Sequence, residues 1–222
     1  MNEQVTTELE AKIEEILSAT RNAKVIHHQD YHHGISYRVE CMKHTQKSGG
    51  LWMEFGVYQG RSLQHLATMK PNEKFYGFDC FSGLPEEWDY QNEKGKFDVG
   101  GEIPALAISS ESTFVPWQPN IELVKGYYED TIPAFLKTHP GDADLIHLDA
   151  DLYSSTKTVL TLLAPRIVPG TMIMFDELCD YPDYRIHEIK AFAEYLLATK
   201  RKYTCKVYQP SSYSQTCFII EE

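Results

Sequence analysis

The segment HLDADLY at residues 147–153 sets two carboxylates, Asp149 and Asp151, one residue apart behind an apolar run that begins at Ala143. A second pair, Asp176 and Glu177, closes the apolar run in MIMFDEL. Should the two pairs meet, like charges in one crevice would raise one another's pKa values and weaken the fold unless a cation joined them. An oxygen-only donor set, with neither cysteine nor an obvious histidine pair, favours Mg²⁺ over Zn²⁺.

A different chemistry is written in MEFGVYQGRSL, where Glu54 ends an apolar run, Gly56 and Gly60 stand four apart, and Ser62 opens a helical pattern. Glycines here let the backbone turn tightly and approach a ligand, and the helix start offers free amide groups to its polar end. The dinucleotide fingerprint GxGxxG lacks its middle glycine, which weakens a pyrophosphate reading. Glu54 would repel a phosphate, but it suits a cationic ammonium group such as that of the methionine part of S-adenosylmethionine. Asp79 lies nineteen residues past Gly60 at the end of FYGFD, near the spacing at which an acid meets ribose hydroxyls. The plainer reading of Glu54 and Asp79 is that acids after strands cap helices.

These residues need strands and helices to hold them. LWMEFG, KFYGFD, IELVKG, ADLIHLD and TMIMFDE read as short strands that alternate with helices across GRSLQHLATM, DTIPAFLKTH, SSTKTVLTLLAP and RIHEIKAFAEYLLAT. That alternation predicts an α/β fold with a mainly parallel sheet covered on both faces. KYTCKVYQ and SQTCFIIE, separated by PSSYS, predict a C-terminal antiparallel hairpin. Val5, Leu9, Ile13, Ile16 and Leu17 predict an amphipathic helix near residues 4–19 that packs on the main domain or on a second subunit. Residues 86–120 break the rhythm, and a loop that long suits a substrate lid. Its Trp88, Phe97, Phe114 and Trp117 argue against free solvation. The domain reading is an N-terminal helix and lid segment over 1–50 and the main domain over 51–222.

The 222 residues suffice for one α/β domain with its own core. A formal net charge of -11 works against a phosphate backbone as partner, so no nucleic acid is expected. No apolar run approaches the roughly 20 residues that span a bilayer, and the N-terminal segment lacks a basic start and apolar centre. The expectation is a cytoplasmic protein that does not bind membranes. Five scattered cysteines without a CxxC pair suggest reduced thiols. His27, His28, His32 and His33 in HHQDYHH read as polar loop residues, or as lid contacts with Tyr31 beside the substrate. Tyr127 and Tyr128 after VKG either flank an adenine ring or pack.

EFGVYQGRS, FYGFDCFSGLPEEW and HLDADLYSST followed by FDE, in that order, resemble class I S-adenosylmethionine-dependent methyltransferases. The likeness is strongest to the metal-dependent macrocin O-methyltransferase group, which decorates sugars on natural products, and it covers roughly residues 50–222. It implies a Rossmann-like, seven-stranded sheet in which the strands ending at Asp149 and Asp176 are neighbours. It also implies Mg²⁺ on Asp149, Asp176 and Glu177, the last departing from the aspartate common in the family. S-adenosylmethionine would lie against Glu54, Gly56, Tyr58, Gly60, Ser62, Asp79, Ser82 and Tyr127. Asp151 would take the proton of a small hydroxylated acceptor, unless its task is to cap the helix near Tyr153. The function implied is Mg²⁺-dependent O-methylation of a small polyhydroxylated molecule, for example a sugar of a glycosylated natural product. Against it stand a nicotinamide-dependent oxidoreductase, disfavoured by the missing glycine, and a non-catalytic S-adenosylmethionine-binding protein, which would have little use for four clustered acids. The acidic surface and N-terminal helix permit a homodimer without requiring one.

Overall fold

The computed structural model describes residues 3–26, 34–89 and 92–222; the expectations for His27, His28, Tyr31, His32 and His33 lie outside the described residues. Helix α1 (Glu3–Arg21) leads into strand β1 (Lys24–Val25), helix α2 (Ile35–Met42), β2 (Leu51–Phe55), α3 (Arg61–Met69) and β3 (Phe75–Asp79). A small hairpin, β4 (Ala107–Ile108) and β5 (Phe114–Val115), precedes β6 (Ile121–Lys125) and α4 (Tyr128–Thr138). Then come β7 (Ala143–Leu148), α5 (Tyr153–Leu163), β8 (Met172–Cys179), α6 (Glu188–Thr199), β9 (Tyr203–Gln209) and β10 (Ser214–Ile220).

The main sheet runs β1-β9-β10-β8-β7-β2-β3-β6. β2, β3, β6, β7 and β8 pair in parallel, and β10 is antiparallel to both β8 and β9. The α/β architecture and the closing hairpin are as the alternation predicts. The seven expected strands are joined by an eighth, β1, which pairs in parallel with β9; two residues are too few to carry a period of two. Helix α2 also escapes the sequence pattern, since its buried positions include the polar Arg38 and Glu40 beside Tyr37, Cys41 and Met42.

Both faces of the central strands are buried, and their residues alternate between two cores. Met53, Phe55, Ile146, Leu148, Ile173 and Phe175 join the core under α1, α4, α5 and α6, whereas Trp52, Leu145, Met172 and Met174 join the one under α2 and α3. Leu9, Ile13, Ile16 and Leu17 of α1 are buried against this same chain, on α6 and β9. Within the 86–120 insertion Trp88 is buried and Trp117 half-buried, while Phe114, expected to be sheltered, is 69% exposed.

Chain order reverses between β2 and β7: the chain builds outward through β3 and β6, then returns to add β7 and β8 on the other side. The crevice beyond the carboxyl ends of such strands is where open α/β sheets bind ligands.

Candidate functional site

A cavity of about 1480 Å³ opens at this reversal. One side of it is the turn after β2. Gly56 has φ 93, and a side chain there would fall 1.6 Å from the carbonyl oxygen of Asp149. Only glycine lets the loops after β2 and β7 approach so closely. Gly60 has φ 81 and carries the ring of Trp117 on its bare Cα face, where a Cβ would lie 2.2 Å from the indole. The insertion is thereby fastened over the start of α3.

Asp79 ties this loop down. One carboxylate oxygen accepts from the amides of Val57 at 2.8 Å and Tyr58 at 2.7 Å, and the other from Phe81 at 2.7 Å. Tyr58 is held at φ 48, in the left-handed region that side chains other than glycine rarely adopt. Gly56, Tyr58, Ser62, Asp79 and Tyr127 all line the cavity. Gly60 sits behind Trp117, and Ser82 is exposed in a bridge to Asp98, away from the lining.

Glu54 is fully buried and does not reach the cavity. Its carboxylate accepts from Ser62 Oγ at 2.9 Å and from His147 Nδ1 at 2.8 Å. His147 Nε2 faces Asp176 Oδ1 at 3.8 Å, and Asp176 also accepts from the side-chain amide of Gln215. Burial opposes a charge on His147, but the Asp176 and Glu54 carboxylates push it up to about 10, making it a cation at neutral pH. Asp176 is held low despite burial by His147 and the nearby Arg38.

Asp149, Asp151 and Glu177 form the other acidic group, with one oxygen from each lying within 4.8 Å of the others. All three carboxyls are raised. Burial is the first cause for each, followed by the charge of Asp176; Asp149 and Glu177 go well above the carboxylate range and Asp151 to about 7. Asp151 stands at φ 59. It does not cap α5, whose N-cap position is Leu152 with no side-chain bond. Asp149, Asp151, Asp176 and Glu177 all line the same cavity as the glycine turn.

The two acidic pairs therefore do meet, but they regroup: Asp176 joins Glu54 and His147, and Asp151 joins Asp149 and Glu177. Three mutually repelling carboxylates without a cationic side chain among them fit a divalent cation with oxygen preference. Sequence reasoning assigned no role to His147, Gln215 or Arg38. An ionisable residue inside the apolar run that becomes the buried strand β7 is the one sequence signal that could have singled out His147.

A family model described as a methyltransferase domain matches residues 53–178, more than half of the chain. The chain is 26% identical over 155 residues to 8-demethyl-8-(2,3-dimethoxy-alpha-L-rhamnosyl)-tetracenomycin-C 4'-O-methyltransferase of Streptomyces olivaceus, a match covering 64% of this chain and 58% of that protein. It thus spans little more than half the length of that curated relative. Among solved structures, the calicheamicin methyltransferase CalS11 superposes with a TM-score of 0.67 at 21% identity, over 95% of this chain and 91% of that one. An O-methyltransferase from Bacillus cereus in complex with SAH gives 0.55 at 14% identity, over 97% and 91% of the two chains. At those identities the structural likeness speaks for the fold alone.

Proposed function

As the chain belongs to the methyltransferase-domain family, we propose that it transfers the methyl group of S-adenosylmethionine to a hydroxyl of a small polyhydroxylated acceptor. A sugar of a glycosylated natural product is the favoured acceptor class. The observation that carries this reading is the union, in one cavity, of the Gly56 turn braced by Asp79 with the Asp149, Asp151 and Glu177 cluster. The sequence relative from Streptomyces olivaceus, a 4'-O-methyltransferase, supports it.

S-adenosylmethionine would occupy the side lined by Gly56, Tyr58, Ser62, Asp79 and Tyr127, with Asp79 and the Ser62 hydroxyl as its polar contacts. Mg²⁺ would be held by Asp149 and Glu177, the two acids common to the family resemblance and the observed cluster. It would supply a positive charge that eases loss of the acceptor's hydroxyl proton. Asp151, raised to about 7, accepts that proton while the acceptor oxygen bonds to the methyl carbon and the carbon–sulfur bond breaks, leaving S-adenosylhomocysteine. Rate gain comes chiefly from holding the hydroxyl in line with the methyl group. Residues 86–120, anchored by Trp117 on α3 and by Trp88 on Tyr181 and Tyr213 at 5.7 and 5.6 Å between ring centroids, act as the lid that excludes water.

The test is transfer of labelled methyl from S-adenosylmethionine to a panel of rhamnosides and other vicinal diols, with and without EDTA. Transfer that EDTA abolishes and Mg²⁺ restores is expected. Transfer indifferent to EDTA would remove the metal from the mechanism, and S-adenosylmethionine failing to bind at all would remove the activity.

A further inference from the structure

Glu54, His147 and Asp176 belong to three neighbouring strands, β2, β7 and β8. Glu54 is paired in register with His147, and His147 with Met174, two residues before Asp176. Alternation puts all three on the α2/α3 side of the sheet. The result is a continuous polar row beneath the cavity floor. At one end Glu54 accepts from Ser62 at 2.9 Å, and Ser62 lines the cradle side of the cavity. At the other end Asp176, in contact with Gln215, lines the acceptor side. His147, fully buried, is the link between them, with Nδ1 2.8 Å from Glu54 and Nε2 3.8 Å from Asp176.

We propose that His147 is a positioning residue that ties the cofactor cradle to the acid side of the cavity, one ring nitrogen fixing Glu54 behind Ser62 and the other restraining Asp176. This rests on the S-adenosylmethionine reading of the cradle. It does not make His147 catalytic, since the fully buried ring does not itself line the cavity and reaches it only through Asp176 and, by way of Glu54, Ser62. Glu54 also takes a different role from the one its sequence position suggests. It acts through the Ser62 hydroxyl and not by meeting the ligand's ammonium group.

The two nitrogens can be separated by substitution. Asparagine sets an amide near the position of Nδ1 and glutamine near that of Nε2, so His147→Asn keeps the donor to Glu54 and His147→Gln keeps the one toward Asp176. Calorimetric titration with S-adenosylhomocysteine, then with Mg²⁺ alone, reads each end. His147→Gln is expected to weaken S-adenosylhomocysteine roughly tenfold, the effect of losing one hydrogen bond to a charged group. It should leave Mg²⁺ affinity near wild type. His147→Asn should hold the nucleoside as the wild type does but bind Mg²⁺ several-fold more tightly, because Asp176 is released toward the cluster. Ser62→Ala, alone and combined with Glu54→Gln, extends the test without opening the core: losses that fail to add support the link, and additive losses overturn it. Variants that change both ligands equally, or neither, would also overturn it while leaving the methyltransferase reading in place. Absence of nucleoside binding by the wild type would overturn both.

Discussion

Two acidic groups on neighbouring strands, one lining the cavity and the other reaching it only through Asp176, are treated in opposite ways by the fold. Glu54 and Asp176 are matched by cationic neighbours: Glu54 accepts a hydrogen bond from His147 Nδ1, and Asp176 lies within ion-pair range of His147 Nε2 and is lowered further by Arg38. Asp149, Asp151 and Glu177 are each driven up by burial and by Asp176, a rise that His147 offsets only in part at Asp149. A buried carboxylate that serves structure is neutralised from within; one left to repel its neighbours awaits a charge from outside. Residue type alone does not separate the two, and position in the sheet does.

The contrast can be broken at several points. The largest expected effect is on rate: Asp151→Asn should lower kcat roughly 10²–10⁴-fold, the range for loss of a general base, with Mg²⁺ affinity little changed. Parallel loss of Mg²⁺ affinity would make Asp151 a ligand instead. In the paired row, His147→Leu strands Glu54 and Asp176 and should destabilise the protein by about 3–5 kcal/mol in chemical denaturation, as when one member of a buried pair is removed. Asp149→Asn should act with the opposite sign on the metal-free protein, raising its stability by on the order of 1 kcal/mol, the usual size of a single-site change. It should also erase the rise in melting temperature that Mg²⁺ gives the wild type, a rise EDTA reverses.

The smallest effect lies where Glu40 of α2, itself largely covered, is lowered to about 2 by hydrogen bonds from the exposed lysines Lys24 of β1 and Lys43. A carboxyl depressed by folding stabilises the protein above its unfolded pKa and loses that contribution as pH falls toward the folded value. Glu40→Gln should therefore cost about 1 kcal/mol or less at neutral pH. Its gap from wild type should close as denaturation is repeated at pH below the ordinary glutamate range of about 4.

Much of the fold was legible because β2, β7 and β8 are short apolar runs broken by helical spacing, each with an acid inside it or just past its end. The cradle was legible for a local reason: Gly56 and Gly60 serve a turn confined to a few residues. The regrouping of the acids was not. It depends on which side chains face each other across β2, β7 and β8, and on Gln215 and Arg38, which come from the C-terminal hairpin and a helix with no clear period. A single histidine in HLDADLY reads as an interruption of a strand until Glu54 is seen beside it. Phe114 misled for a similar reason: an aromatic residue in an insertion signals burial only if another surface receives it.

The central claim is that the two acidic groups do different work, and one calorimetric comparison tests it: S-adenosylhomocysteine followed by Mg²⁺, titrated into wild type, Asp149→Asn and Glu54→Gln. The account predicts that Asp149→Asn keeps the nucleoside and loses Mg²⁺, whereas Glu54→Gln weakens the nucleoside and keeps Mg²⁺. Full Mg²⁺ affinity in Asp149→Asn, or its loss in Glu54→Gln, would contradict it.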